Sequence, residues 1–105
     1  MPHWIRVCTT AELLPGEFKV AYDGDTAIVV CNVDGALYAL EDRCSHQEFE
    51  LSAGDLVGNE ITCSLHGARF DVRTGNALCA PAYAPVRPLP VKVDDGVVYT
   101  RDDRD

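Results

Sequence analysis

Two short segments of the chain each carry one cysteine and one histidine, and this repeated pairing restricts the fold more than any other feature. Cys44 and His46 are separated by one residue, Cys63 and His66 by two, and residues 47–62 lie between the pairs. Thiolate sulfur and imidazole nitrogen are donors with which proteins bind iron and zinc. Four such donors can meet at one point only if a rigid scaffold fixes both loops. The spacing therefore predicts a metal centre held by two loops.

Strand signals on both sides of these pairs predict the scaffold. Asp34 and Gly35 form a two-residue hairpin signal, and residues 94–96 (Asp-Asp-Gly) form a second one. Between about residues 41 and 84 the alternation of apolar and polar residues fades, and Gly, Pro and Ser become frequent. We therefore expect antiparallel sheets, with one turn of helix at residues 9–12 opened by a capping box. The predicted strands are 4–7, 18–22, 27–33, 36–40, 91–93 and 97–100.

The residues that flank the two pairs carry a family resemblance. Residues 41–43 (Glu-Asp-Arg) precede the first pair, and residues 67–71 (Gly-Ala-Arg-Phe-Asp) follow the second. Thr74-Gly75 and Pro81-Ala82 come further downstream. With these motifs the chain resembles, over essentially its whole length, the Rieske-type 2Fe–2S ferredoxins of bacterial aromatic-ring-hydroxylating oxygenase systems. The resemblance implies a single all-β Rieske domain over residues 1–105. In that fold an antiparallel β-sandwich base carries a smaller inserted cluster-binding lobe, here at approximately 41–84.

The resemblance also implies the cofactor and its ligands. One 2Fe–2S cluster would be bound by Cys44 and Cys63 on the inner iron and by His46 and His66 on the outer, more exposed iron. Neutral imidazoles put less negative charge on their iron than thiolates do, which raises the reduction potential above that of an all-cysteine cluster. The third histidine, His3, lies outside both segments and is predicted to be an ordinary surface residue.

A structural zinc site is the alternative interpretation of the same four residues. Two cysteines and two histidines suit tetrahedral zinc. Zinc fingers, however, usually pair cysteine with cysteine and histidine with histidine, whereas each segment here supplies one of each. The spacing favours iron, and the zinc-stabilised interaction module remains as the alternative.

Two residues after the second pair predict the redox potential. High-potential relatives have a His-Gly-Ser-x-Tyr pattern, whose two hydroxyls form hydrogen bonds near the cluster. This chain has Ala68 and Phe70 at those positions. Because hydrogen bonds to cluster sulfur stabilise the reduced state, their absence lowers the potential. We expect a value near the bottom of the Rieske range, roughly −150 mV.

The resemblance implies a one-electron carrier and not an enzyme. Electrons would come from a flavin-containing NAD(P)H ferredoxin reductase and pass to a terminal Rieske non-haem iron oxygenase. Oxygen activation in this chain itself would need a 2-His-1-carboxylate site. With three histidines in total, of which two belong to the cluster, such a site cannot be built. A Rieske subunit of another reductase, such as nitrite reductase, is a further alternative.

Charge and hydropathy restrict the partners and the compartment. The formal net charge of −8 disfavours nucleic acid and anionic membranes and favours a basic docking face on a redox partner. No apolar leader or spanning segment is visible, so we expect a cytoplasmic protein. We expect a monomer because an electron shuttle is most naturally monomeric. Cys31, in an apolar strand pattern, is predicted to be buried, and Cys8 and Cys79 have no assigned role.

Overall fold

The computed structural model of the protein describes residues 3–42, 51–62, 68–78 and 85–103, and the fold is given for these residues. They form strands and two short 3₁₀ helices, Thr10–Glu12 and Leu51–Ala53. The described strands, in chain order, are β1 (Ile5–Thr9), β2 (Phe18–Asp23), β3 (Thr26–Val33), β4 (Ala36–Glu41), β5 (Asp55–Val57), β6 (Glu60–Thr62), β7 (Arg69–Asp71), β8 (Pro88–Leu89), β9 (Val91–Asp94) and β10 (Val97–Thr100).

The strands form three antiparallel sheets. The base sheet has the order β1-β10-β9, the central sheet β2-β3-β4-β8 and the lobe sheet β5-β6-β7. Every strand pairing is antiparallel. The all-β antiparallel class predicted from the sequence is therefore confirmed. No helix in the described parts of the chain is long and apolar enough to cross a membrane.

The central sheet is packed on both faces, as the alternating side chains of strand β3 show. Successive side chains of a strand point to opposite faces. Ile28 and Val30 belong to a core shared with the base sheet, whereas Val29 and Cys31 belong to a core shared with the lobe sheet. All four are fully buried. A continuous apolar run is what a strand buried on both faces requires.

The predicted burial of Cys31 is confirmed, and Cys8 is buried as well. Burial raises the pKa of the Cys31 thiol to about 12, with a smaller contribution from the negative charge of Asp42. Burial also raises the pKa of Cys8. Both thiols are therefore protonated at neutral pH and act as small apolar side chains of the core.

The two predicted hairpin turns are confirmed. Asp34 and Gly35 have φ values of 53° and 92°, and Asp95 and Gly96 have values of 52° and 75°. Two consecutive residues with positive φ define the type I′ turn that matches the twist of a hairpin. The predicted capping box is also present, since Glu12 Oε1 accepts hydrogen bonds from the Thr9 backbone N–H at 2.9 Å and from its hydroxyl at 3.0 Å.

The lobe sheet is inserted between two neighbouring strands of the central sheet. Strand β4 pairs with β8 through Ala39 and Leu89, so the chain leaves the central sheet after Glu41 and returns to it at Pro88. Strands β5 to β7 lie in this excursion and have three residues each. Three residues are too few to show a period of two, which is why residue alternation alone did not predict them.

Candidate metal centre

The four predicted ligands lie in two segments outside the described residues: Cys44 and His46 in 43–50, Cys63 and His66 in 63–67. Pro81 and the third segment, 79–84, lie outside them too. The structure describes the residues at both ends of each segment. These ends show where the fold places the residues that border each segment.

Described residues next to each of the three segments lie at one end of the lobe sheet. Asp55 of β5 pairs with Thr62 of β6, and Thr62 pairs with Arg69 of β7. The Leu78 N–H donates to the Arg69 carbonyl at 2.8 Å, so Leu78 lies at the same end. Segment 63–67 joins Thr62 to Ala68, and segment 79–84 leaves from Leu78. Segment 43–50 is followed by the 3₁₀ helix Leu51–Ala53, which ends two residues before Asp55. The described residues that follow the first Cys–His segment and those that border the second therefore lie at the same end of the lobe sheet.

A buried carboxylate closes the first segment. Asp42 is 4% exposed, and its backbone N–H donates to the Ala27 carbonyl at 2.8 Å. Its Oδ1 accepts the Ser52 N–H at 2.8 Å, and its Oδ2 accepts the Ser52 hydroxyl at 2.6 Å. Two hydrogen bonds therefore connect the residue before the segment with the 3₁₀ helix after it. The sequence showed Asp42 only as a flanking residue and gave no signal for this non-local pairing.

Buried apolar residues follow the second segment and form what we call the apolar floor of the lobe. Ala68 and Phe70, the two positions where high-potential relatives carry hydroxyls, are both fully buried. They share a core with Leu51 and Ile61, and Ile61 lies opposite Phe70 in the sheet. Arg69, between them, is half exposed and pairs with Glu60 at 3.1 Å. Phe70 is therefore a core residue of the lobe.

A glycine fixes the far end of the third segment. Gly75 has φ +80°, and its carbonyl accepts the Val86 N–H at 2.7 Å. A Cβ at Gly75 would overlap the carbonyl oxygen of Val86 and would come within 3.3 Å of Pro88 Cδ. Only glycine therefore lets the returning chain lie so close to the turn. The Thr74-Gly75 motif marked a turn in the sequence, but not this contact across the lobe.

An ion pair stiffens the turn between the second and third segments. Asp71 accepts hydrogen bonds from the Arg73 backbone N–H at 2.9 Å, from its Nε at 3.1 Å and from its Nη2 at 3.0 Å. These bonds, with Asn59 as a further donor, lower the pKa of Asp71 to about 2. A carboxylate with a lowered folded pKa adds stability above its unfolded pKa, and this stability is lost as the pH falls towards 2.

We expect Asp71→Asn to lower the free energy of unfolding by about 1 kcal/mol at pH 7. This is less than the pKa shift alone would give, because Arg73 is half exposed and solvent screens the pair. The difference from the wild type should shrink between pH 5 and pH 3, as the unfolded carboxylate takes up its proton. Urea unfolding of the wild type and of Asp71→Asn between pH 5 and pH 3 measures this difference in the free energy of unfolding. A difference independent of pH would contradict the ionic origin.

The described residues offer no competing metal site. Within ranges 3–42, 51–62, 68–78 and 85–103, no three His, Cys, Asp or Glu side chains are grouped so that they could hold a metal. His3 is exposed, as predicted, and its Nε2 lies 2.9 Å from Asp23 Oδ1. The four predicted ligands, two cysteines and two histidines, lie outside these ranges. Such a donor set suits a 2Fe–2S cluster with two cysteine and two histidine ligands.

Comparisons with known proteins agree with a 2Fe–2S centre. The family model for the Rieske [2Fe-2S] domain matches residues 3–90. The chain is 42% identical over 89 residues to the ferredoxin component of biphenyl 2,3-dioxygenase from Rhodococcus jostii (strain RHA1), covering 85% of this chain and 83% of that protein. It is 45% identical over 95 residues to the 3-phenylpropionate/cinnamic acid dioxygenase ferredoxin subunit of Photorhabdus laumondii subsp. laumondii, covering 89% of each.

A solved structure shows the same likeness in three dimensions. The ferredoxin of carbazole 1,9a-dioxygenase from Nocardioides aromaticivorans IC177 superposes with a TM-score of 0.91 at 33% identity, covering 97% of this chain and all of that one. The family model matches well over half of the chain, and the relatives are similar over most of their own lengths. The chain therefore belongs to the Rieske [2Fe-2S] domain family, whose members bind one 2Fe–2S cluster.

Proposed function

We propose that this protein is a one-electron carrier that serves a terminal aromatic-ring oxygenase. The observation that carries the proposal is the extent of the similarity. The chain covers 83% and 89% of two relatives that are named as ferredoxin components of dioxygenase systems. These relatives are electron-transfer components and not the catalytic subunits of their systems.

Cys44, His46, Cys63 and His66 are the proposed cluster ligands, two thiolates for one iron and two imidazoles for the other. The bound cluster supplies a reversible one-electron couple. The chain contributes the segment ends that fix the ligands, together with an apolar floor without hydroxyls at Ala68 and Phe70. Because such hydroxyls would stabilise the reduced state, the proposed potential lies near the lower limit of Rieske centres, roughly −150 mV.

The proposed electron acceptor is a terminal Rieske non-haem iron oxygenase, and the proposed donor is a flavin-containing NAD(P)H reductase. One similar structure is the complex of reduced oxygenase and oxidized ferredoxin in carbazole 1,9a-dioxygenase. A chain of this complex superposes on the present chain with a TM-score of 0.89 at 34% identity. The net charge of −8 supports encounter with basic partner surfaces, since complementary charge speeds association. A carrier must leave after each transfer, so the contact area should be small.

We further propose that residues 1–105 form a single Rieske domain, with its cluster-binding lobe at approximately 41–84. The insertion of the lobe sheet between β4 and β8 supports that division. A cytoplasmic monomer is proposed for the same carrier, because it must diffuse between two partners.

The proposal is tested by low-temperature EPR of the purified protein before and after reduction with dithionite. We expect no signal in the oxidised protein and, after reduction, a signal with the low average g value of mixed His/Cys ligation. His46→Ala should abolish the signal because it removes a ligand. His3→Ala is the matched control: its side chain is exposed and bonded to Asp23, so the signal should be retained.

Two results would contradict the proposal. A protein that is EPR-silent in both states and contains zinc would be the zinc-stabilised module. A normal signal in His46→Ala would show that the ligand assignment is wrong.

A further inference from the structure

The carboxylate of Asp42 has a setting that loop closure alone does not require. It is buried, both of its oxygens accept hydrogen bonds from Ser52, and its backbone N–H is bonded to Ala27. Charged groups are rarely placed in such surroundings unless they are paired, because transfer from water to a low dielectric is costly. No cation forms an ion pair with Asp42 among the described ion pairs. Its hydrogen-bond partners among the described residues are neutral donors, which hold the negative charge in place.

Covalent geometry keeps this charge close to the proposed ligands. Asp42 precedes Cys44 by two residues, so the Cα atoms of the two can be no more than about 7 Å apart. After burial, the negative charge of Asp42 is the second cause that raises the pKa of the Cys31 thiol. Cys31 lies in the same buried core as Leu51, Ala68 and Phe70. Asp42 is itself buried, and charges are weakly screened in a protein interior.

A fixed negative charge acts on the two oxidation states differently. Reduction adds one electron to the cluster, so a nearby anion disfavours the reduced state more than the oxidised one. Net charge, hydrogen bonding and solvent exposure are the means by which proteins adjust iron–sulfur potentials. Missing hydroxyls remove one stabilisation of the reduced state, and a buried anion would add an opposing electrostatic contribution.

We propose that Asp42 is a positioning residue of the Rieske centre whose buried charge, held by the Ser52 hydrogen bonds, lowers the reduction potential of the cluster. This inference rests on the ligand assignment of the proposed function. Asp42 would then have two roles: its hydrogen bonds connect the two ends of the first segment, and its charge lowers the reduction potential of the cluster.

Three variants separate charge from hydrogen bonding. Asp42→Asn removes the charge and retains the shape, and its amide can still accept the Ser52 N–H and donate to the Ser52 hydroxyl. Ser52→Ala removes one hydrogen bond and keeps the charge. Asp25→Asn is the control, because it makes the same change in net charge at an exposed turn residue.

Protein-film voltammetry on each cluster-loaded protein gives the decisive quantity. We expect the midpoint potential of Asp42→Asn to move in the positive direction by about 59 mV, a tenfold change in the reduction equilibrium constant. Ser52→Ala and Asp25→Asn should change that constant less than threefold. An unchanged potential in Asp42→Asn, with its EPR signal intact, would overturn the inference. An equal shift in Ser52→Ala would also overturn it, by assigning the effect to geometry.

A second neutral variant decides the question if Asp42→Asn does not retain a cluster. Asp42→Ser removes the charge with a smaller side chain, whose hydroxyl oxygen can accept a hydrogen bond. A positive shift supports the inference, and an unchanged potential contradicts it. These outcomes are distinct from failure of the proposed function, in which the wild type itself would show no Rieske signal.

Discussion

Replacing Phe70 with alanine is expected to lower the free energy of unfolding by about 3–5 kcal/mol. Phe70 is fully buried at the middle of β7, opposite Ile61 and bridged to Ala77. Its ring belongs to the core that joins the lobe sheet to Val29 and Cys31 of the central sheet. Truncation would leave a cavity between the two layers, where neighbouring strands cannot easily close it. Because a domain is stable by only about 5–15 kcal/mol, such a loss would be a large part of the total.

The measurement is urea unfolding followed by circular dichroism and by the visible absorbance of the cluster. We expect the midpoint to fall by about 1 M urea or more, given the slopes usual for small domains. Val57→Ala is the matched control in the same sheet, because Val57 is 70% exposed and its truncation leaves no cavity. Equal midpoints for Phe70→Ala and Val57→Ala would show that this core does not hold the lobe in place.

Features specified by neighbouring residues could be predicted from the sequence. The Asp34-Gly35 and Asp95-Gly96 turns follow from residues that tolerate positive φ, and the capping box at Glu12 follows from a three-residue spacing. Burial of Cys31 follows from the apolar run around it. In each case the determining interactions lie within a few residues of one another, so that the amino-acid pattern contains them.

Features that depend on contacts between distant residues were not predicted. Strands β5 to β7 are too short for a periodic pattern and are defined by their pairing with each other. The Asp42–Ser52 bonds join residues ten positions apart, and the Gly75–Val86 contact joins residues eleven positions apart across the lobe. The same limit applies to the site. Spacing and flanking motifs indicated the four ligands, but only the folded chain shows that described residues next to their segments lie at one end of a sheet.

Gly75→Ala should have the second large effect, with a consequence for the metal centre. A non-glycine residue at φ +80° costs roughly 1–2 kcal/mol, and the overlap of its Cβ with the Val86 carbonyl adds about 1–3 kcal/mol of overpacking. The overlap is with backbone, so relief requires the returning chain to move away from the turn. Val86 lies just beyond segment 79–84, and that movement would shift the described residues at the end of this segment.

Gly16→Ala isolates the contact from the backbone strain. Gly16 has φ +87°, nearly the same as Gly75, but a Cβ there meets nothing within 4 Å. Both variants carry the same left-handed cost and the same loss of unfolded-state entropy, so their difference measures the Val86 contact alone. We expect Gly75→Ala to unfold at lower urea than Gly16→Ala and to lose its visible absorbance at least several times faster in the presence of an iron chelator. If both variants lost the cluster at the wild-type rate, Val86 would be a packing contact without influence on the centre, because cluster retention would not depend on where the third segment ends.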